Sequence, residues 1–177
     1  MVVNMAEVSV LGAGGWGLAI AVLLHNNGHK VTVWSALQSE VDMLISQHEN
    51  SKSLPGIKIP EEVVVTADLQ EAVTNKDIIV MAVASSFTRQ TAARLKGLVN
   101  EGQIIVNVAK GIEESTLLTL TDIINEELPG MDVAVLSGPS HAEEVGRGLP
   151  TTCVAGADTK ETAEFIQNVF MSDCFRV

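Results

Sequence analysis

Six residues near the start of the chain constrain its fold more than any other feature. Gly12-Ala13-Gly14-Gly15-Trp16-Gly17 carries glycine at its first, third and sixth positions, and it directly follows the apolar run Glu7-Val8-Ser9-Val10-Leu11. It leads into a stretch, 15–27, that is apolar on most sides and reads as a buried helix. A strand that turns sharply into a buried helix needs a residue without Cβ at the turn, and a second where helix and strand pack closely. Gly12 is positioned for the turn and Gly17 for the contact, while Gly14 leaves the backbone bare for a ligand. The first helical amides, from Gly15 and Trp16, have no partner within the helix and can cradle a pyrophosphate.

The rest of the chain alternates in the way this start requires. Strands are predicted over 30–34, 63–66, 77–83, 103–108, 132–136 and 151–155, with helices over 39–48, 68–73, 88–98, 115–127 and 159–170 and a loop over 51–60. Strands that are continuously apolar are covered on both faces, and alternation with crossovers of this length gives a parallel sheet. The expected fold is therefore α/β: a doubly wound, mostly parallel sheet of Rossmann type, with 1–177 as one dinucleotide-binding domain. The last residues, Cys174-Phe175-Arg176-Val177, read as the start of a strand, so a longer chain is expected to follow.

Composition narrows the partners. At 46% hydrophobic and 19% charged, 177 residues suit one ordered domain with a sizeable core. No apolar run approaches the roughly 20 residues of a membrane span, so integral membrane association is not expected. Met1-Val2-Val3-Asn4-Met5 carries no basic n-region and leads directly into a strand pattern, so no signal peptide is expected. Eleven Lys and Arg against 22 Asp and Glu give −11, a field that repels nucleic acid and anionic lipid. Cys153 and Cys174 are too few and too far apart for a disulfide framework and fit reduced thiols in a cytoplasmic protein. No two histidines have ligand spacing, so no metal is expected.

Which dinucleotide is expected depends on the end of the second strand, where an acid favours the ribose diol of NAD and a cation the 2′-phosphate of NADP. Trp34-Ser35-Ala36-Leu37 offers neither; Glu40 is the nearest acid and Lys30 the nearest cation, and neither lies at the strand tip. Ser35 can hydrogen-bond either form. NAD and NADP both remain candidates.

Two further loops follow strands, where open α/β sheets bind ligands. They are Asn107-Val108-Ala109-Lys110-Gly111-Ile112-Glu113, and Ser137-Gly138-Pro139-Ser140-His141-Ala142-Glu143-Glu144-Val145 with Leu149-Pro150-Thr151 beyond it. Ser140 precedes Glu143 by three residues, the spacing of a capping box. With the glycine loop, these motifs make the chain resemble bacterial-type NAD(P)-dependent glycerol-3-phosphate dehydrogenase, in its N-terminal dinucleotide-binding half only. The resemblance implies interconversion of sn-glycerol 3-phosphate and dihydroxyacetone phosphate in the cytoplasm, supplying the glycerophospholipid backbone, and a homodimer at full length. It implies a separate helical C-terminal domain, absent here, that carries the general-base lysine, so that no catalytic residue lies in this chain.

By motif, the resemblance assigns Gly12, Gly14, Gly15, Trp16, Gly17, Lys110 and Ala142 to the cofactor, and Lys110, Gly138 and Ser140 to the small phosphate substrate. The family often has Arg or His where this chain has Ala36, and Phe or a similar residue where it has His141. His141 is read as a partly exposed residue at a helix start, Phe87 as either a nicotinamide contact or a cap on the core, and Glu143 and Glu144 as a solvated face. Alternatives are a related two-domain dehydrogenase of a small hydroxy acid and a regulatory nucleotide-sensing module; the latter has no use for Lys110 or Ser140.

Overall fold

The computed structural model describes residues 5–177; residues 1–4, on which part of the signal-peptide expectation rests, lie outside them. The strands are β1 (Glu7–Leu11), β2 (Lys30–Trp34), β3 (Val64–Thr66), β4 (Ile78–Met81), β5 (Ile104–Asn107), β6 (Asp132–Ser137), β7 (Thr151–Thr152), β8 (Val154–Ala157) and β9 (Phe175–Arg176). The helices are α1 (Gly15–Asn26), α2 (Gln38–Gln47), α3 (Leu69–Val73), α4 (Thr88–Arg94), α5 (Leu120–Glu127), α6 (Ala142–Gly146) and α7 (Lys160–Phe170). Seven strands form one sheet in the order β3-β2-β1-β4-β5-β6-β8, and only β8 runs antiparallel, against β6. The doubly wound parallel sheet is as expected.

Alternate residues of each strand feed two apolar layers. Val8 and Val10 of β1 pack with α1, α2, α6 and α7 on one face, through Leu18, Leu24, Leu44, Val145 and Phe170. Leu11 enters the other layer with Trp34, Ile79, Met81 and the α3, α4 and α5 residues Leu69, Ala92 and Ile124. With both faces covered, the loops that follow β1, β4, β5 and β6 meet along the carboxyl edge of the sheet.

Three expectations need correction. The helix predicted over 115–127 begins only at Leu120, because Thr119 caps it by accepting from the Asp122 amide while Asp122 reciprocates. Upstream, Ile112 bridges Thr119 and Leu117 takes φ 60°, which closes 112–119 into a tight turn. The strand predicted over 151–155 is broken at Cys153: β7 pairs with β9, while β8 pairs with β6. The helix predicted over 88–98 ends at Arg94 and is preceded by a 3₁₀ turn at Ser85–Phe87.

Candidate functional site

The glycine loop is built by exclusion. Gly12 has φ +125°, and a Cβ there would lie 2.8 Å from the Ala82 carbonyl oxygen after β4. At Gly17 a Cβ would lie 2.0 Å from the Gly12 carbonyl oxygen, and at Gly15 it would lie 2.3 Å from that of Ser53. Gly14 is different: it is exposed, its φ is −72°, and no atom lies within 4 Å of where its Cβ would stand. Three glycines are thus bare because protein backbone is close, and the fourth faces open space before the free amides of α1. This open, amide-lined approach suits a diphosphate, so the residues present fit a dinucleotide.

Beside it, residues that lie far apart in sequence converge. The Trp16 indole N–H donates to the Val108 carbonyl at 2.9 Å, tying α1 to the loop after β5. Lys110 Nζ donates to the Gly138 carbonyl and to Ser140 Oγ, each at 3.2 Å, and lies 5.4 Å from the centre of the Trp16 ring. Lys110 is exposed while Ser140 is buried, so the ammonium leans on a fixed hydroxyl at the mouth of the cleft. A cleft of about 430 Å³ is lined by Trp16, Lys110, Ser140, His141 and Ala142. The structure therefore brings Gly15, Trp16, Lys110, Gly138, Ser140 and Ala142 together. Below them Cys153 is buried, and desolvation pushes its thiol up, partly offset by a Ser140 hydrogen bond and the Lys110 charge.

Ser140 is not the cap that the capping-box spacing suggests. His141 is the N-cap of α6 and makes no side-chain cap bond, while the Ser140 hydroxyl is engaged by Lys110 and by the Gly138 carbonyl. His141 is exposed on the cleft wall, and Glu143 and Glu144 face solvent. Among the described residues, no three His, Cys, Asp or Glu side chains are grouped to hold a metal ion.

A second cleft of about 440 Å³ shares Ala82, Val83 and Ala84 with the first and extends past Gly12 and Gly14 to the end of β2. Sequence reasoning missed two of its walls. Arg94 of α4 lies over the buried Trp34 ring, 5.1 Å from its centre, though the two are 60 positions apart. Glu40 of α2 reaches back to Ser35, whose hydroxyl donates to it at 2.5 Å. The Glu40 contact had a local signal, because an acid at the third helical position points back toward the preceding strand end. Arg94 had none. Phe87 is 57% exposed and lines this second cleft, which removes it from the core.

The family described as NAD-dependent glycerol-3-phosphate dehydrogenase N-terminus matches residues 7–163. The chain is 54% identical over 173 residues to the glycerol-3-phosphate dehydrogenase [NAD(P)+] of Agathobacter rectalis, and 54% identical over 175 residues to that of Fusobacterium nucleatum. Each alignment takes in 98% of this chain and 52% of the relative, so the chain spans about half the length of the curated relatives it matches. The crystal structure of glycerol-3-phosphate dehydrogenase from Coxiella burnetii superposes with a TM-score of 0.92 at 29% identity, over 98% of this chain and 53% of that one.

Proposed function

The chain belongs to the NAD-dependent glycerol-3-phosphate dehydrogenase family, matching the family's N-terminus over residues 7–163, and from that premise we propose that it is the dinucleotide-binding half of an enzyme interconverting sn-glycerol 3-phosphate and dihydroxyacetone phosphate. The observation that carries the reading is the convergence of Lys110, Ser140 and the Gly138 carbonyl beside the glycine loop. A nucleotide sensor needs the loop but not this ammonium.

Gly14 and the α1 amides would hold the diphosphate, and Trp16 and Ala142 border the cleft beyond it. A nicotinamide dinucleotide held there would supply the hydride-transfer chemistry. Lys110 offers a fixed positive charge to the substrate oxygen and favours its anionic character during reaction. Ser140 keeps that charge in place. The group that takes the hydroxyl proton is not in this chain: a helical C-terminal domain supplies the general-base lysine and much of the phosphate grip. On this reading the full-length enzyme is a cytoplasmic homodimer feeding glycerophospholipid synthesis. Among the described residues, no helix is long and apolar enough to cross a membrane.

Fluorescence titration tests the reading. NADH is expected to bind saturably, glycerol 3-phosphate to strengthen that binding, and Lys110→Met to remove the glycerol 3-phosphate response while NADH still binds. The chain alone is expected to show no dihydroxyacetone-phosphate-dependent NADH oxidation, since loss of a general base alone costs about 10²–10⁴-fold. No saturable NADH signal, or turnover abolished by His141→Ala, would overturn it.

A further inference from the structure

The second cleft contains a choice that the strand tip leaves open, and one acid decides it. We propose that Glu40 is the specificity residue of the ribose site, accepting the adenosine ribose diol and making this chain prefer NAD(H) to NADP(H). The proposal rests on the dinucleotide reading above and deepens it.

The argument begins with Ser35. It is buried at the carboxyl end of β2, and both of its obvious bonding capacities are spent. Its hydroxyl donates to Glu40 Oε2 at 2.5 Å, and its oxygen accepts from the Leu37 amide at 3.1 Å. Ser35 therefore has no proton left to offer a phosphate. Its role is to hold Glu40, which is half-buried and lines the cleft beside Gly14 and Ala36.

An ionised carboxylate only accepts hydrogen bonds. Two ribose hydroxyls can donate to it; a 2′-phosphate cannot, and instead brings like charge. Ala36, also lining the cleft, contributes no cation to offset that repulsion. α2 thus brings a carboxylate to the position that the β2 residues themselves leave empty.

Arg94 is the countervailing group. It lines the same cleft, but it comes from α4, on the β4 side of β1, whereas Glu40 follows β2 on the other side. Its guanidinium lies over the Trp34 face, where it presents a flat cationic surface to an adenine ring. That contact serves both cofactors alike.

Calorimetric titration of the chain with NADH and with NADPH is the test. NADH is expected to bind at least about tenfold more tightly, about 1.4 kcal/mol. Glu40→Gln is expected to narrow the ratio to below about threefold, or about 0.7 kcal/mol, chiefly by improving NADPH. Ser35→Ala, which frees Glu40 without removing its charge, should weaken NADH and keep part of the discrimination against NADPH. Equal binding of the two by the unsubstituted chain overturns the assignment without any variant. So does tighter NADPH binding that Arg94→Ala abolishes, which would give the 2′-phosphate to Arg94. If neither nucleotide binds, the dinucleotide reading itself fails, and this inference with it.

Discussion

The glycine loop and the lysine loop end β1 and β5, two positions apart in one sheet, yet they are held in opposite ways. The first is fixed by backbone against backbone, with Gly12 and Gly17 filling space that no side chain can share. The second is anchored at its far end, Glu113, by charge. Arg89 donates to both oxygens of Glu113 at 2.7 and 2.8 Å, and to Glu127 and Glu126 at 2.9 Å each. Lys96 joins Glu127 at 2.6 Å. Steric exclusion is local and indifferent to salt and pH; an ion cluster draws on distant residues and responds to both. One sheet edge therefore carries a rigid anion cradle and, beside it, a positively charged arm whose base depends on ionisation.

The largest effect should come from breaking the exclusion. Gly17→Ala would set a Cβ 2.0 Å from the Gly12 carbonyl oxygen, between two backbone segments that cannot both yield. Overpacking usually costs about 1–3 kcal/mol, and this case should exceed that, a large share of a typical stability of about 5–15 kcal/mol. Urea denaturation is expected to show a strongly lowered midpoint or no cooperative transition. A midpoint close to the unsubstituted chain would mean that α1 does not depend on this contact.

The next effect sharpens the contrast within one loop. The Cβ of Gly14→Val would have no atom within 4 Å and the residue keeps an ordinary φ of −72°, so the fold should survive with little change in melting temperature. The valine would nevertheless occupy the approach to the α1 amides, and NADH binding should be lost. Retained binding in a folded variant would remove the diphosphate from this loop.

The same contrast explains what was legible in the sequence. Exclusion is written in consecutive residues, so Gly12, Gly14 and Gly17 announced both the strand–helix turn and its ligand face. The parallel sheet was legible because its strands are apolar throughout. Helix starts were less so: Ser115 to Leu118 has helical composition, but the Thr119–Asp122 cap and the Ile112–Thr119 bridge claim that backbone for a turn. The capping-box spacing at Ser140 misled because a lysine 30 positions away takes the hydroxyl. Arg94 over Trp34 and Arg89 among three glutamates depend on α4 lying beside its neighbours, which no local pattern records.

The smallest effect comes from the ion cluster. The Arg89 guanidinium, then the Thr116 hydroxyl, hold the Glu113 carboxyl down to about 2 in the folded chain, against an ordinary value of about 4.3. Lys96 first and Arg89 second lower Glu127 as well. Between those values the unfolded chain binds more protons than the folded one. The contribution is therefore complete above the ordinary carboxylate range and lost as pH falls through about 4.3 toward about 2. Arg89→Gln should accordingly lower the urea midpoint modestly at neutral pH, and the gap to the unsubstituted chain should close as pH approaches 2. It should also shrink in about 1 M salt, where screening acts within about 3 Å, because these side chains are partly exposed. NADH binding at the glycine loop should hardly change, since none of the cluster lines that loop. A gap of constant size from neutral to acid pH would show that Arg89 acts through the packing of its stem. The lysine loop would then be held, like the glycine loop, by shape rather than by charge.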